Sequence, residues 1–270
     1  MSRALREDIG SGDVTAALVP DSQLATGVVI ARESAILCGA PWASEVFRAL
    51  DPRVVLSWAA KDGDPLHVDR PFLELRGPAR AILSGERTAL NFLQTLSATA
   101  TTARRFVDAI AGTGCQILDT RKTLPGLRTA QKYATRCGGA RNHRMGLYDM
   151  VLIKENHIVA AGSIAAAVAA ARRVQPEVRV EVEVESLEEL DQALAAGADI
   201  AMLDDMSLQQ IRAAVMRAAG SRTKLEASGS IVLENVRQIA ETGVDFISIG
   251  AITKHVRAVD LSLRLQFAVA

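Results

Sequence analysis

Residues 178–204 read VRVEVEVESLEELDQALAAGADIAMLD. The opening VRVEVEVE alternates valine with charged residues and the closing DIAMLD is a short apolar run, so both ends predict β-strands. Between them, leucine and alanine recur at helical spacing from Leu187 to Ala196. A strand, a helix and a second strand in this order indicate one βαβ unit, whose two strands run parallel.

The same alternation continues on both sides of this unit. Further strand-like runs are CQILD (115–119), DMVLIK (149–154), TKLEAS (223–228) and DFISIG (245–250), and helical patterns fill most of the gaps between them. We therefore predict an α/β fold over residues 111–255. We expect an incomplete α/β barrel with about six parallel strands, because a complete eightfold barrel usually takes about 250 residues.

The first part of the chain has a different pattern. Residues 1–110 mix short strand-like runs and turn pairs with one long helical pattern from about Glu86 to Ile110, for which Ser84 is a plausible N-cap. We predict a separate N-terminal α+β domain here. For residues 256–270 we expect a C-terminal helix that packs back on this domain.

The chain of 270 residues contains 31 Lys and Arg and 31 Asp and Glu, so its formal net charge is zero. This balance argues against a broad basic surface for nucleic acid or a membrane. The order of the charges is uneven, however. Residues 121–154 contain eight Lys or Arg and one acid, whereas residues 181–191 contain six acids and no base. The neutral total conceals two opposed blocks of charge.

Cysteines and hydropathy indicate the compartment. Cys38, Cys115 and Cys137 are scattered and form no CxxC pair or Cys/His cluster, so neither a disulfide framework nor a structural zinc site is expected. The N-terminal MSRALREDIGSGD has no apolar region typical of a secretory signal, and no run of about 18 apolar residues follows. We expect a cytoplasmic protein with neither a membrane nor a nucleic-acid partner.

Polar residues cluster where the predicted strands end. These strand ends are Asp119–Thr123, Lys154–His157, the acids Glu181, Glu183 and Glu185, Asp204–Asp205, Ser228–Ser230 and Gly250. Because the carboxyl ends of parallel strands meet at one edge of a sheet, we expect a shared site there. Carboxylates inside a covered sheet need a water-filled mouth, a cation or a metal, and those of the EVEVE run suit Mg²⁺.

The basic block complements these acids. Arg121, Lys122, Arg144 and Lys154 fall at strand ends or in loops, where they can gather a small anion. Three other bases, Arg128, Lys132 and Arg136, follow helical spacing, for which we expect a solvated helix face. The Ser228–Ser230 run before a helix and Gly250 match the phosphate site of a barrel's last loops. A small polyanion bearing phosphate and carboxylate, bound with Mg²⁺, is the expected ligand.

The chain resembles the quinolinate phosphoribosyltransferase (decarboxylating) family. The resemblance rests on eight stretches in family order: LREDIGSGDVT (5–15), GERTALNFLQTLS (85–97), DTRKTLPGLR (119–128), KYATRCGGARNHRMGLYDMVLIKENHI (132–158), VEVEVESLEEL (180–190), DIAMLDD (199–205), LEASGSI (225–231) and GVDFISIGAIT (243–253). They are distributed across almost the whole chain, from Leu5 to Thr253. DTRKT-PGLR followed by GG-x-x-NHR-x-GL is far more specific than a lone glycine motif.

This resemblance implies a reaction and an assembly. Quinolinate and 5-phosphoribosyl-1-pyrophosphate (PRPP) would give nicotinate mononucleotide, pyrophosphate and CO₂ in NAD biosynthesis, with Mg²⁺ and without an organic cofactor. The family also implies an N-terminal α/β sandwich domain, an incomplete α/β barrel, and a homodimer whose active sites lie at the subunit interface.

The resemblance also implies roles for individual residues. Quinolinate would be held by Arg121, His143, Arg144 and Lys154, together with Arg87 from the partner subunit. PRPP would be bound by Lys122, Glu183, Asp204, Ser228, Gly229, Ser230 and Gly250, and Glu183 and Asp204 would hold Mg²⁺, directly or through water. Lys122, Lys154, Glu183 and Asp204 are the expected catalytic residues. Glu155, Asp205 and Ser230 depart from the family pattern, in which Asp, Asn and Gly are usual.

Three alternatives stay open at this point. A related phosphoribosyltransferase of the same fold could act on another acid. An aldolase-like barrel could use Lys154 to form a Schiff base. A binding protein could hold a phosphorylated metabolite without converting it. PRPP-dependent release of CO₂ from quinolinate separates all of these from the expected activity.

Overall fold

The computed structural model describes residues 1–268. The chain divides into two compact units. The first comprises Met1–Thr102, Cys137–Gly139 and the chain from His255 onward, and the second comprises Ala103–Arg136 and Ala140–Lys254.

Helices and strands alternate through most of the described chain. The helices are α1 (Ser2–Ile9), α2 (Ala40–Leu50), α3 (Ala79–Ala109), α4 (Arg128–Cys137), α5 (Glu155–Ala161), α6 (Ile164–Val174), α7 (Leu187–Ala195), α8 (Leu208–Arg217), α9 (Leu233–Ala240) and α10 (Ala251–Lys254), with a 3₁₀ turn at Ala16–Leu18. The strands are β1 (Leu24–Ala31), β2 (Ala35–Ile36), β3 (Val55–Trp58), β4 (Pro65–Leu66), β5 (Pro71–Pro78), β6 (Gln116–Leu118), β7 (Val151–Ile153), β8 (Val180–Val184), β9 (Ile200–Asp204), β10 (Lys224–Ser228), β11 (Phe246–Ser248) and β12 (Leu261–Phe267).

The first unit is built on a four-stranded antiparallel sheet in the order β12-β1-β5-β3, beside the short pair β2-β4. Helix α3 begins at Ala79, earlier than the predicted start near Glu86. Ser84 therefore lies inside the helix, and its hydroxyl donates to Asp13 Oδ2 at 2.7 Å instead of capping the helix.

The expected C-terminal helix is wrong. Residues 261–267 form β12, which pairs antiparallel with β1 from Ala31↔Leu261 to Ala25↔Phe267. The sequence LSLRLQF alternates leucine with polar residues, so a strand places every leucine on the face that packs against the core. Gly27 of β1 leaves room for this face, because a Cβ there would lie 2.9 Å from Leu263 Cδ1. The last two residues of the predicted helix fall outside the described part of the chain.

The second unit confirms the predicted six-stranded parallel sheet. Its strand order is β6-β11-β10-β9-β8-β7, and each pair of neighbours is parallel. The valines of the EVEVE run, Val180, Val182 and Val184, are fully buried and belong to the core of this unit with residues of the covering helices. The alternating glutamates therefore face the other side of the sheet, the interior of the incomplete barrel.

In residues 1–268 no single helix is long and apolar enough to cross a membrane. One bent pair, Glu155–Ala161 with Ile164–Val174, meets the length and composition only when both helices are taken together, across an angle of 89°.

Candidate active site

A cavity of about 400 Å³ opens at the carboxyl ends of the parallel strands. Its lining comes from all six strands, the loops that follow them and the loop before β7: Thr120, Arg121, Lys122, His143, Arg144, Leu152, Lys154, Glu183, Met202, Asp204, Ser228 and Ser248. Eight of the residues singled out from the sequence are thus brought together. Gly229, Ser230 and Gly250 lie on the adjoining loops outside this lining, and Arg87 is exposed on α3 in the first unit.

The register of the sheet explains why these side chains meet. Glu183 of β8 stands beside Met202 of β9, and Asp204 of β9 stands beside Ser228 of β10. Residues that are two apart on a strand share a face. The inward face therefore carries Glu183 level with Met202 and, nearer the strand ends, Asp204 level with Ser228.

Cations form the opposing wall of the cavity. Burial, followed by the nearby charge of Arg121, lowers the pKa of the Arg144 guanidinium. Two guanidiniums that disfavour each other's charge in a half-buried site are stabilised by an anion placed between them. Lys154 stands at the border of the two walls, because its ammonium forms an ion pair with the Glu183 carboxylate.

A buried ion pair supports the loop that carries His143 and Arg144. Lys132 Nζ donates to Asp119 Oδ1 at 2.5 Å and to the His143 carbonyl at 2.9 Å. Asn142 Nδ2 and the His143 backbone N–H donate to the same Asp119 carboxylate at 2.7 and 2.9 Å. Asp119 therefore connects the end of β6 to helix α4 and to the loop before β7 through hydrogen bonds.

The expectation of a solvated face for Lys132 is wrong, since its side chain is 1% exposed. Burial lowers the pKa of Lys132 and raises that of Asp119, and the attraction between the two charges opposes both shifts. Arg136, by contrast, is exposed as expected. Helical spacing predicts which residues share a face, but it does not show that a carboxylate from another element is buried against one of them.

The loop that carries Arg121 and Lys122 is also braced. Arg128 Nε donates to Thr123 Oγ1 at 3.1 Å, and Thr253 Oγ1 donates to the Lys122 carbonyl at 2.9 Å. Gln131 of α4 joins both sides, since it accepts from the Leu124 N–H and donates to the Thr253 carbonyl, each at 2.8 Å. These bonds fix the backbone while the lysine ammonium remains exposed.

His143 lines the cavity, and its ring also lies close to two buried carboxylates, which the sequence did not predict. Its Nδ1 accepts the Arg144 backbone N–H at 2.8 Å, and its Nε2 lies 3.0 Å from Glu181 Oε2 and 3.6 Å from Glu226 Oε2. Both carboxylates are completely buried. Glu181 thus lies deeper than the cavity lining that Glu183 joins, and Glu226, a single acid in the apolar KLEAS run, gave no signal in the sequence.

The serine loop after β10 differs from its prediction in one respect. Helix α9 begins at Leu233, so Ser228–Ser230 do not head it directly. Ser228 alone lines the cavity, and its carbonyl accepts the Asp205 backbone N–H at 3.1 Å. Asp205 and Ser230 have φ angles of 48° and 46°, in the left-handed region that glycine and asparagine favour. These are two of the positions at which the chain departs from the family pattern.

The fold and the cavity together define a class of protein. An incomplete α/β barrel that places arginines and lysines opposite carboxylates at its strand ends is typical of an enzyme that acts on small, multiply charged anions.

Comparison with known proteins identifies the family. The model of the quinolinate phosphoribosyl transferase N-terminal domain matches residues 13–97, and that of the C-terminal domain matches residues 99–264. The chain therefore belongs to the quinolinate phosphoribosyltransferase family, which confirms the resemblance seen in the sequence.

Relatives match over nearly their full length. A nicotinate-nucleotide pyrophosphorylase [carboxylating] of Mycobacterium leprae is 43% identical, with 97% of this chain and 95% of the relative covered. A probable nicotinate-nucleotide pyrophosphorylase [carboxylating] of Bacillus subtilis is 43% identical, with 95% of this chain and 89% of the relative covered. The solved structure of the nicotinate-nucleotide pyrophosphorylase from Francisella tularensis is 50% identical, covers 98% of this chain and 94% of its own, and has a TM-score of 0.96.

Proposed function

We propose that the barrel cavity is the site at which this phosphoribosyltransferase joins quinolinate to PRPP and releases nicotinate mononucleotide, pyrophosphate and CO₂, a step of de novo NAD biosynthesis. One observation carries the assignment: the cations for a dicarboxylate and the acids for a ribose centre line one cavity. Arg121, Arg144 and Lys154 bind the two quinolinate carboxylates. Lys122 and Ser228 bind the phosphate groups of PRPP.

The acidic wall accelerates transfer by electrostatics. As pyrophosphate leaves, positive charge develops at C1 of the ribose, and Glu183 and Asp204 stabilise this charge where it appears. Lys122 assists the departing pyrophosphate. Lys154 and Glu183 are paired with each other in this structure, and the two substrates give each of them a new partner, the quinolinate carboxylate and the ribose.

Decarboxylation then follows from the product of transfer. The cationic wall holds the quinolinate ring so that its nitrogen attacks C1, which is a proximity effect. Once alkylated, the ring nitrogen is positively charged and stabilises the electron pair that stays on the adjacent ring carbon as its carboxylate leaves as CO₂, and a proton from water then takes the place of the carboxylate. The ring itself is the electron sink, so no organic cofactor is required.

The donor set fits Mg²⁺. Glu183 and Asp204 present carboxylate oxygens from neighbouring strands to the same cavity as the phosphate-binding residues. Mg²⁺ is commonly held by one or two carboxylates, waters and substrate phosphates. When bound, the ion would offset the charge of the pyrophosphate group, with Glu183 and Asp204 as its protein ligands, directly or through water.

A matched pair of variants tests the acidic wall. Glu183→Gln removes a charge from the cavity, and Glu185→Gln removes one from an exposed residue at the end of the same strand. We expect Glu183→Gln to lower kcat by about 100-fold or more, the size found when one preorganised electrostatic group is removed. Glu185→Gln should stay within about twofold of the wild type. Unimpaired turnover of Glu183→Gln would refute the electrostatic role.

We further propose a homodimer in which Arg87 enters the partner's cavity. Support comes from the family pattern and from the position of Arg87, exposed on α3. Arg87→Ala and Lys154→Ala homodimers should each be nearly inactive. Re-assorted subunits should recover up to about a quarter of the wild-type activity, because half of the dimers then contain one intact site of two. No recovery despite verified subunit exchange would contradict a shared site.

The activity itself has a direct assay. Wild-type protein should release CO₂ from carboxyl-labelled quinolinate only when PRPP is present, and removal of Mg²⁺ by a chelator should abolish release. Borohydride trapping of Lys154 with a carbonyl substrate, or ligand binding without turnover, would instead support the alternatives. We also propose a cytoplasmic location, since Cys38, Cys115 and Cys137 form no disulfide within residues 1–268.

A further inference from the structure

Two cysteines and an aspartate that are far apart in the sequence meet in the first unit. Cys38 follows β2, Asp62 lies in the loop between β3 and β4, and Cys137 is the last residue of α4. Their ligand atoms, two Sγ atoms and one carboxylate oxygen, all lie within 4.8 Å of one another. We name Cys38, Asp62 and Cys137 the thiol–carboxylate cluster.

Hydrogen bonds hold two members of the cluster in place. The Cys38 N–H donates to Ser97 Oγ at 2.9 Å, and the Ser97 hydroxyl donates to the Cys38 carbonyl at 3.2 Å. Ser97 is itself completely buried. Asp62 Oδ1 accepts the Ala40 N–H at 3.0 Å. Such supporting contacts orient the side chains of a binding site before a ligand arrives.

The loop that carries Asp62 is also tied to the segment that carries Cys38. The Gly63 N–H donates to the Leu37 carbonyl at 2.8 Å, and the Leu37 N–H donates to the Asp64 carbonyl at 2.9 Å. Gly63 has a φ of 96°, a backbone conformation that favours glycine. The relative position of Cys38 and Asp62 is therefore fixed by the backbone.

These donors suit a soft divalent cation. Thiolates select Zn²⁺ or Cu(I), whereas Mg²⁺ prefers oxygen ligands. Three atoms within 4.8 Å of one another have a common centre at most about 2.8 Å from each, and Zn–S and Zn–O bonds are about 2.3 and 2.0–2.2 Å long. Side-chain shifts of less than about 1 Å would therefore bring all three donors to bonding distance.

A disulfide is the other use of two neighbouring cysteines. Disulfide formation by exchange needs a thiolate, and reactive thiolates are found beside cationic groups. Here a carboxylate adjoins both thiols, and Cys38 is completely buried. A negative neighbour disfavours a thiolate, whereas a cation shared by all three donors is stabilised by each of them. The cluster therefore favours a metal ion over a disulfide.

We propose that Cys38, Asp62 and Cys137 form a Zn²⁺ site that links three segments of the first unit, with water as the fourth ligand. Asp62 and Cys137 are partly exposed, so water and the ion can reach the site. The site is independent of the reaction proposed for the cavity. It reverses the expectation from the sequence, in which the scattered cysteines showed no metal-binding pattern.

Binding would exchange protons for the ion. Contact with the Cys137 thiol, followed by burial, raises the pKa of the Cys38 thiol. The thiols are therefore protonated at neutral pH, and each Zn²⁺ that binds two thiolates and the carboxylate releases two protons to solvent.

Cobalt substitution tests the site on the wild-type protein. After treatment with a chelator, the protein should bind one equivalent of Co²⁺ with the intense visible bands of a tetrahedral ion and a thiolate-to-cobalt charge-transfer band. Zn²⁺ should displace the Co²⁺ and remove both features. A spectrum without the charge-transfer band would place the ion on other residues and overturn the proposal. A Cys38–Cys137 disulfide formed with oxidised glutathione in protein that binds no Co²⁺ would also overturn it.

Matched cysteine variants locate the ligands. Cys38→Ser and Cys137→Ser should each weaken Co²⁺ binding by about 100-fold or more, whereas Cys115→Ser, in the core of the second unit, should not change it. Asp62→Asn keeps an acceptor for the Ala40 N–H and should weaken binding by about tenfold or more while the charge-transfer band remains. Unchanged affinity in Cys137→Ser, a substitution at a partly exposed position, would contradict the proposal even if Cys38→Ser fails to fold.

Stability gives a second measurement. Zn²⁺ at about 100 times its Kd should raise Tm by about 5 °C or more in the wild type and in Cys115→Ser, but not in Cys137→Ser. Binding should release about two protons per Zn²⁺ at pH 7 in weakly buffered solution. No increase in Tm, or an equal increase in Cys137→Ser, would refute a stabilising zinc site. If the wild type binds Co²⁺ as expected but releases no CO₂ from quinolinate, only the proposed function fails.

Discussion

Replacing Lys132 with methionine should destabilise the protein strongly. The substitution keeps most of the side-chain volume and removes an ammonium that donates to Asp119 and to the His143 carbonyl. Breaking a buried ion pair by removing one partner typically costs about 3–5 kcal/mol, because the other charge stays buried. Asp119 keeps two hydrogen-bond donors, Asn142 and the His143 N–H. We therefore expect Lys132→Met to lower the free energy of unfolding by about 3 kcal/mol, the lower end of this range.

The sign of the pH dependence follows from Asp119. Burial raises its pKa, and Lys132 opposes that shift. Without Lys132 the folded protein binds a proton at Asp119 more tightly than the unfolded chain does. That contribution to stability is complete below the usual pKa of 3.8 and is lost as the pH rises through the folded pKa. The difference in free energy of unfolding between the wild type and Lys132→Met should therefore become smaller as the pH falls.

Urea unfolding followed by circular dichroism measures the effect. Arg136→Met is the matched control, since Arg136 is exposed one turn later on the same helix, and it should change the free energy of unfolding by less than about 0.5 kcal/mol. The double variant Asp119→Asn with Lys132→Met should be more stable than Lys132→Met alone, because no charge is left buried. A loss below about 1 kcal/mol in Lys132→Met would refute the buried pair as a support of the loop.

Three further predictions concern the barrel. Ser230→Gly should raise the free energy of unfolding by about 0.5–1 kcal/mol in urea titrations, because residue 230 has a φ of 46°; an unchanged midpoint would contradict strain there. Glu226→Gln should remove a pH dependence of stability. Between pH 4.5 and the raised folded pKa of Glu226, the free energy of unfolding of the wild type should fall by about 1.4 kcal/mol per pH unit relative to that of the variant. Parallel curves of stability against pH would contradict this. Gly250→Ala places a Cβ 3.0 Å from Lys122 Cδ, so the KM for PRPP should rise by about threefold or more, whereas Gly114→Ala, with open space around it, should not change it.

The repetitive part of the fold was predictable from local pattern. Strands of the second unit appear as short apolar runs, and parallel connectivity alone brings their ends to one edge, so Arg121, Lys154, Glu183 and Asp204 could be grouped before any coordinates. The C-terminal strand was missed although LSLRLQF has a period of two, because its partner β1 lies at the other end of the chain.

Burial was the property that local pattern did not reveal. Lys132 and Glu226 are charged residues in otherwise ordinary segments, and their roles depend on partners from distant elements, Asp119 and Glu181. His143 lines the cavity as its motif predicts, but the motif gave no sign that two buried carboxylates lie 3.0 and 3.6 Å from its Nε2. Such contacts are long-range, and no spacing within one segment encodes them.

The most direct test of the cavity assignment is a crystal structure with quinolinate and an unreactive analogue of PRPP. The account predicts both quinolinate carboxylates on the wall formed by Arg121, Arg144 and Lys154, and the ribose facing Glu183 and Asp204. Quinolinate bound on the acidic wall, or outside the barrel, would contradict it.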